Sequence, residues 1–179
     1  MPLNALNIFK FLEKKEGRPI PFRIKLINNL PLTPEELNVT GDLDLSNTPI
    51  TSLPDNFKVK GSLDLWGSKI TSLPDNLKVN GNLHLNRSEI TSLPDNLQVG
   101  GDFYLGDTKI TSLPDNLQVG GHLDLYNSKI TSLPDNLNVG SRLFLVNTPL
   151  SKQYTKEQIR QMIEDKGGFV KGIYFEYIK

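Results

Sequence analysis

Hydrophobic residues recur along most of this chain with a period of twenty. From Gly41 onward each unit reads G-x-L/F-x-L-x-x-T/S-x-I-T-S-L-P-D-N-L/F-x-V-x. Full units fall at 41–60, 61–80, 81–100, 101–120 and 121–140, and a half-unit follows at 141–150. The heptad ITSLPDN is identical in all five, at 50–56, 70–76, 90–96, 110–116 and 130–136. A repeat in fixed register decides the architecture before any single residue does. Twenty residues are too few for two packed helices and suit one turn of a solenoid that holds one short strand.

The apolar positions predict how a turn is built. Leu63 and Leu65 alternate with Ser62, Asp64 and Trp66, so the leucines share one face of a strand and the polar residues take the other. Ile70 and Leu73 return to the interior, Pro74-Asp75-Asn76 makes a turn, and Leu77 and Val79 come back along a third side. Gly81 opens the next strand, where the backbone needs positive φ or close approach. The half-unit has Ser141 there with Gly140 before it, which predicts a corner shifted by one residue. One turn buries too little apolar surface to offset the entropy of ordering it, so turns must stack and cover each other. The hydroxyl column Thr48, Ser68, Ser88, Thr108, Ser128 and Thr148 is expected to point inward and bond to the backbone of the adjacent turn.

The ends of such a stack need caps. Residues 3–16 read as a helix with Ala5, Ile8, Phe9 and Leu12 on one face, widened by Leu3 and Phe11 and stopped by Gly17 and Pro19. Residues 22–40 resemble a worn repeat, with Ile24 and Leu26 in a strand and Leu37 and Val39 aligned with Phe57 and Val59. After the array, Thr155 and Gln158 form a capping box that opens a helix to about residue 166. FVKGIYFEYIK then reads as a strand with Ile173, Phe175 and Tyr177 on one side. The chain is thus read as one structural domain in three parts: an N-terminal cap over 1–40, the repeats over 41–150, and a helix–strand cap over 151–179.

The pattern from Leu43 to Pro54, L-x-L-x-x-T-x-I-x-x-L-P, resembles the leucine-rich repeat. A twenty-residue period closed by Leu-Pro is similar to the short LPX class of bacterial effector proteins, and similar arrays occur in bacterial and bacteriophage proteins. The resemblance covers residues 41–150 and implies an α/β leucine-rich-repeat solenoid. That fold is a right-handed coil of short parallel strands and extended back segments, with a helix at each end. The family usually places asparagine where this chain has Thr or Ser. Some of its effectors add a ubiquitin-ligase domain with a cysteine nucleophile, an activity that does not carry over to a chain without cysteine.

Composition narrows the function classes. Lysine plus arginine equals aspartate plus glutamate at 20 each, which disfavours nucleic acid as a partner, since counterion displacement needs a basic excess. The lack of cysteine removes disulfides, thiolate metal sites and cysteine nucleophiles. No cleavable leader and no apolar run of membrane-spanning length is present, so a cytoplasmic location is expected.

Comparison between the repeats points to the outward strand positions. The heptad is invariant, while four columns vary. The first reads Asp42, Ser62, Asn82, Asp102, His122, Arg142; the second Asp44, Asp64, His84, Tyr104, Asp124, Phe144. The third reads Ser46, Trp66, Asn86, Gly106, Tyr126, Val146; the fourth Asn47, Gly67, Arg87, Asp107, Asn127, Asn147. Packing leaves these side chains free, and exposed aromatic and arginine groups dominate protein interfaces. The expectation is a concave strand face that binds another protein through Trp66, His84, Arg87, Tyr104, Tyr126, Arg142 and Phe144, with Asp44 and Asp64 making its N-terminal end acidic. A small polar ligand or single-stranded nucleic acid stacked on Trp66, Tyr104 and Tyr126 is the alternative, and a purely structural solenoid a third. Asp44, Asp64 and His84 stack in one column with metal-ligand chemistry, but an open face excludes water poorly and no catalytic motif is present. The chain is therefore read as a non-enzyme with no metal and no cofactor.

Overall fold

In the computed structural model, which describes residues 5–95 and 97–176, consecutive twenty-residue turns pile up in register as a parallel-strand β-solenoid with a few helices at its ends. Leu3, Asn96 and Tyr177 lie outside the described residues. Each turn contributes two short strands, not one. The return strands are β1 (Asn38–Val39), β3 (Lys58–Val59), β5 (Lys78–Val79), β7 (Gln98–Val99) and β9 (Gln118–Val119). The front strands are β2 (Leu43–Asp44), β4 (Leu63–Asp64), β6 (Leu83–His84), β8 (Phe103–Tyr104) and β10 (Leu123–Asp124). Both ladders converge on β11 (Asn138–Phe144), which runs through the corner and belongs to each. The second strand was hidden because L-x-V also reads as extended return chain; its backbone pairing, such as the Lys58 N–H to the Leu37 carbonyl at 2.9 Å, makes it a ladder.

The interior is one hydrophobic cluster made of the expected positions: the strand leucines, the isoleucine and leucine of the heptad, and the apolar pair on the return side. Phe57 departs from the leucine of its column because the ring of Phe22 stacks on it, with centroids 6.4 Å apart. The hydroxyl column is buried, but its bonds stay within the turn. Thr48, Ser88, Thr108 and Thr148 donate to the carbonyls of Leu45, Leu85, Leu105 and Leu145 at 2.6, 2.6, 2.7 and 2.9 Å. Ser68 and Ser128 are equally buried, and their hydroxyls find no partner. The carbonyl three residues back is the nearest acceptor because the chain turns sharply between the two residues. The residue just before each hydroxyl sits in the left-handed region, from φ 52 at Asn47 to φ 61 at Gly67. The corner glycines serve the other purpose proposed for them, close approach. A Cβ on Gly81 would stand 2.7 Å from the Ser62 nitrogen. At Ser141 the corner does not shift, since its N–H still bonds to the Gly121 carbonyl at 3.1 Å.

The N-terminal end differs from expectation in two ways. α1 (Ala5–Glu16) forms, but Ile8 and Phe11 are exposed and α1 adds no residue to the hydrophobic cluster. The strand expected at Ile24 and Leu26 is instead α2 (Phe22–Ile27), started by Pro21. Phe22 and Leu26 stand four residues apart and share the inner face of this helix, a spacing that outweighs the two-residue spacing of Ile24 and Leu26. Leu26 enters the core, and Phe22, Leu32, Leu37 and Val39 pack against it, so this segment covers the first turn. Val39 pairs with Val59 as the alignment predicted.

At the other end α3 (Pro149–Gln153) is an unforeseen short helix that uses Thr148 as its N-cap, with Ser151 completing a capping box. α4 (Lys156–Asp165) starts at the predicted Thr155/Gln158 box and buries Ile159 and Ile163. β12 (Phe169–Tyr174) pairs parallel with β11. Val170 and Ile173 face inward and Phe175 packs against the core from beyond the strand. None of the described helices is long and apolar enough to cross a membrane.

Candidate functional site

The outward columns do not vary freely, as their side chains do structural work. In column one each side chain accepts the backbone N–H of the next turn. Asp42 takes Ser62 at 2.7 Å, Ser62 takes Asn82 at 3.1 Å, and Asn82 takes Asp102 at 2.8 Å. Asp102 takes His122 at 2.7 Å and His122 Nδ1 takes Arg142 at 3.2 Å. The column varies only among short acceptors until Arg142, which accepts nothing and ends it. The front ladder leaves this N–H without a carbonyl partner, and a buried or half-buried amide must find one. The sequence signal was present: every member before Arg142 carries an acceptor atom.

Column four is restricted by conformation. Asn47, Gly67, Arg87, Asp107, Asn127 and Asn147 all have positive φ. Asn, Asp and Gly tolerate that region, whereas a long side chain there costs on the order of 1–2 kcal/mol. Arg87, at φ 58, is the exception. Its guanidinium lies over the Trp66 ring at 5.8 Å from the centroid, and its Nε donates to Asp107 at 3.2 Å. Asn127 donates to Asp107 at 2.7 Å and Asn147 to Asn127 at 2.7 Å, so the acceptor of Arg87 is itself held by a ladder. The Asn127 bond, followed by that of Arg87, holds Asp107 below its usual carboxylate range.

The predicted site residues fall into three groups along the face. Toward the N-terminus Asp44 and Asp64 are register partners. Each spends one oxygen on its own turn, Asp44 on the Ser46 N–H and Asp64 on the Trp66 N–H, both at 2.8 Å. Hydrogen bonds from Ser46 hold Asp44 below its ordinary value. Trp66, 37% exposed, stands beside them and carries Arg87. In the middle His84 and Tyr104 stack with centroids 4.5 Å apart and planes 22° from parallel. Toward the C-terminus Phe144 packs its ring on His122 at 5.8 Å and on Tyr174 at 5.4 Å, and Arg142 lies over Tyr174 at 5.5 Å. Tyr126 is not brought to Trp66. Asn86 and Gly106 separate them in column three, and three strand spacings amount to about 14 Å. Tyr126 instead lies against Gly106, where a Cβ would stand 3.5 Å from its own. Among the described residues no set of three His, Asp or Glu side chains is placed to hold a metal ion.

Tyr174 belongs to this face and was not anticipated, whereas Asp102 and Asp107 were placed in its columns but not among the expected binding residues. Tyr174 extends column two by one strand, as the Cα partner of Phe144. Asp102 accepts the Tyr104 hydroxyl at 3.0 Å. Burial and then that bond push the Tyr104 phenol up to about 12 from an ordinary 10. The folded state therefore favours the neutral phenol. Its contribution to stability is complete below pH 10 and disappears as pH rises through 12. In an ultraviolet titration, the difference between wild type and Tyr104→Phe is expected to show a transition near pH 12. Asp102→Asn should bring that transition down; an unchanged position would mean that Asp102 is not its cause.

No protein-family model matches this chain, and no curated protein matches it.

Proposed function

We propose that this chain is a leucine-rich-repeat module of the short, Leu-Pro-closed type that binds another protein through its strand face. The observation that carries the reading is the Trp66–Arg87 pair. Trp66 is exposed, and Arg87 occupies a left-handed position where the other turns have Asn, Asp or Gly. Backbone strain of this kind persists where it is used, and arginine and tryptophan are the residue types that most often anchor protein interfaces. The His84–Tyr104 stack offers a second aromatic surface in the middle of the same face. Asp44 and Asp64 at one end and Arg142 beside Phe144 at the other give the face a charge direction that would set the orientation of a partner.

The test uses Trp66→Ala with Arg87→Asn. A partner captured from the native host is purified and its affinity measured against both forms. The double variant is expected to lose about 2 kcal/mol or more of binding, roughly 30-fold. Arg87→Asn alone should hold or raise the melting temperature, because asparagine fits the left-handed position. Equal affinity of the two forms, or unfolding of the single variant, would refute this reading.

A further inference from the structure

The last strand pair breaks the regularity of the coil. β11 carries one more residue than β12 between two aligned pairs, Val139 with Val170 and Arg142 with Gly172. A bulge bends its strand and re-aims the flanking side chains. Beside it lies a cleft of about 260 Å³ lined by Ser141, Arg142, Lys171, Gly172 and Tyr174. The lining offers two cations and two hydroxyls and no carboxylate. Neither cation forms an ion pair among the described residues, in contrast to Arg87 with its Asp107. One wall is set by Gly172, where a Cβ would stand 2.9 Å from a ring carbon of Tyr174 and 3.2 Å from its hydroxyl. The ring thus lies back over the strand, with the Arg142 guanidinium above it at 5.5 Å. The aromatic face restrains Arg142 without neutralising it.

We propose that this cleft binds a phosphate dianion, either free or as the ester of a phosphorylated side chain. The planar fork of Arg142 suits two oxygens of one anion, and the Lys171 ammonium a third. The hydroxyls of Ser141 and Tyr174 supply neutral donors on the same lining. Two unpaired cations match the charge of a phosphate ester near neutral pH, which a carboxylate only half fills. The site lies at the opposite end of the face from Trp66 and shares Arg142 with that face, but its argument does not rest on partner binding.

The experiment follows backbone amide shifts of the full chain during titration at constant ionic strength. The probes are inorganic phosphate, acetate, a phosphoserine peptide and its unphosphorylated form. Phosphate should give saturable shifts at Ser141, Lys171 and Gly172, and acetate should not. A phosphopeptide that binds tighter than inorganic phosphate identifies the ester as the source; one that binds no tighter identifies the free ion. Lys171→Gln, at an exposed position, should weaken binding roughly tenfold or more, since it removes one charge-assisted hydrogen bond to the anion. Lys171→Gln with Arg142→Gln should abolish saturation. No saturable shift with either phosphate form, or unchanged affinity in Lys171→Gln, would overturn the assignment.

Discussion

Phe103→Ala is expected to cost about 3–5 kcal/mol of folding stability and to divide the unfolding of the coil into two steps. Phe103 is wholly buried in β8, the central strand of the front ladder from β2 to β12, where its column of the repeat otherwise holds leucine, and it pairs in register with Leu83 and Leu123. Removing the ring leaves a cavity between the turns on either side, because the backbone ladders hold their spacing. In a stack each turn is stabilised mainly by its two neighbours, so a lesion at the centre uncouples the halves. Trp66 reports on the N-terminal half alone. Denaturation followed by Trp66 fluorescence and by far-ultraviolet circular dichroism should give coincident midpoints for the wild type and separated midpoints for the variant. A loss below about 1 kcal/mol would mean that the interior closes around the gap, and the close-packed description would fail.

Gly120→Ala is expected to be nearly as damaging although it adds only one methyl group. Its Cβ would stand 2.1 Å from the Gly100 carbonyl oxygen and 3.0 Å from the carbonyl carbon, both backbone atoms. To make room the turns must part, which strains the bonds from the Gly120 N–H to Val99 and from the Gly121 N–H to Gly101, each 2.9 Å. Overpacking of this kind costs ~1–3 kcal/mol and sometimes more. Gly41→Ala is the control, since a Cβ there meets nothing within 4 Å. Chemical denaturation should separate the two variants clearly. Equal midpoints would show that the corner of the coil can widen at little cost.

Most of the coil was legible because burial at a fixed period leaves a direct mark on composition. The positions read as interior from Leu63, Leu65, Ile70, Leu73, Leu77 and Val79 are buried. The caps were harder to read because they occur once and offer no internal comparison. Ile24 and Leu26 fit a strand by spacing, but only contact with Phe57 and the first turn reveals α2. The candidate face was half legible. Its aromatic residues were visible as outliers in their columns, whereas the backbone bonds made by Asp42, Ser62, Asn82 and Asp102 need the height of one turn to be seen. Left-handed geometry in column four was written in the Asn, Gly and Asp residues that precede each hydroxyl. Arg87 concealed it, being the residue least suited to that conformation. Tyr174 was unreadable because its register depends on a bulge that no pattern announces.

The relay of acceptors from Asp42 to His122 gives the protein a direction of growth. A duplicated segment inherits a donor facing upstream and an acceptor facing downstream, so it can be spliced between existing coils without redesign of either neighbour. Arginine at 142 closes that option: a copy placed after it would begin with an amide left unserved. Lengthening by gene duplication is therefore tolerated ahead of this residue and penalised behind it, and related chains of different length should differ by whole multiples of twenty upstream of a non-accepting stop.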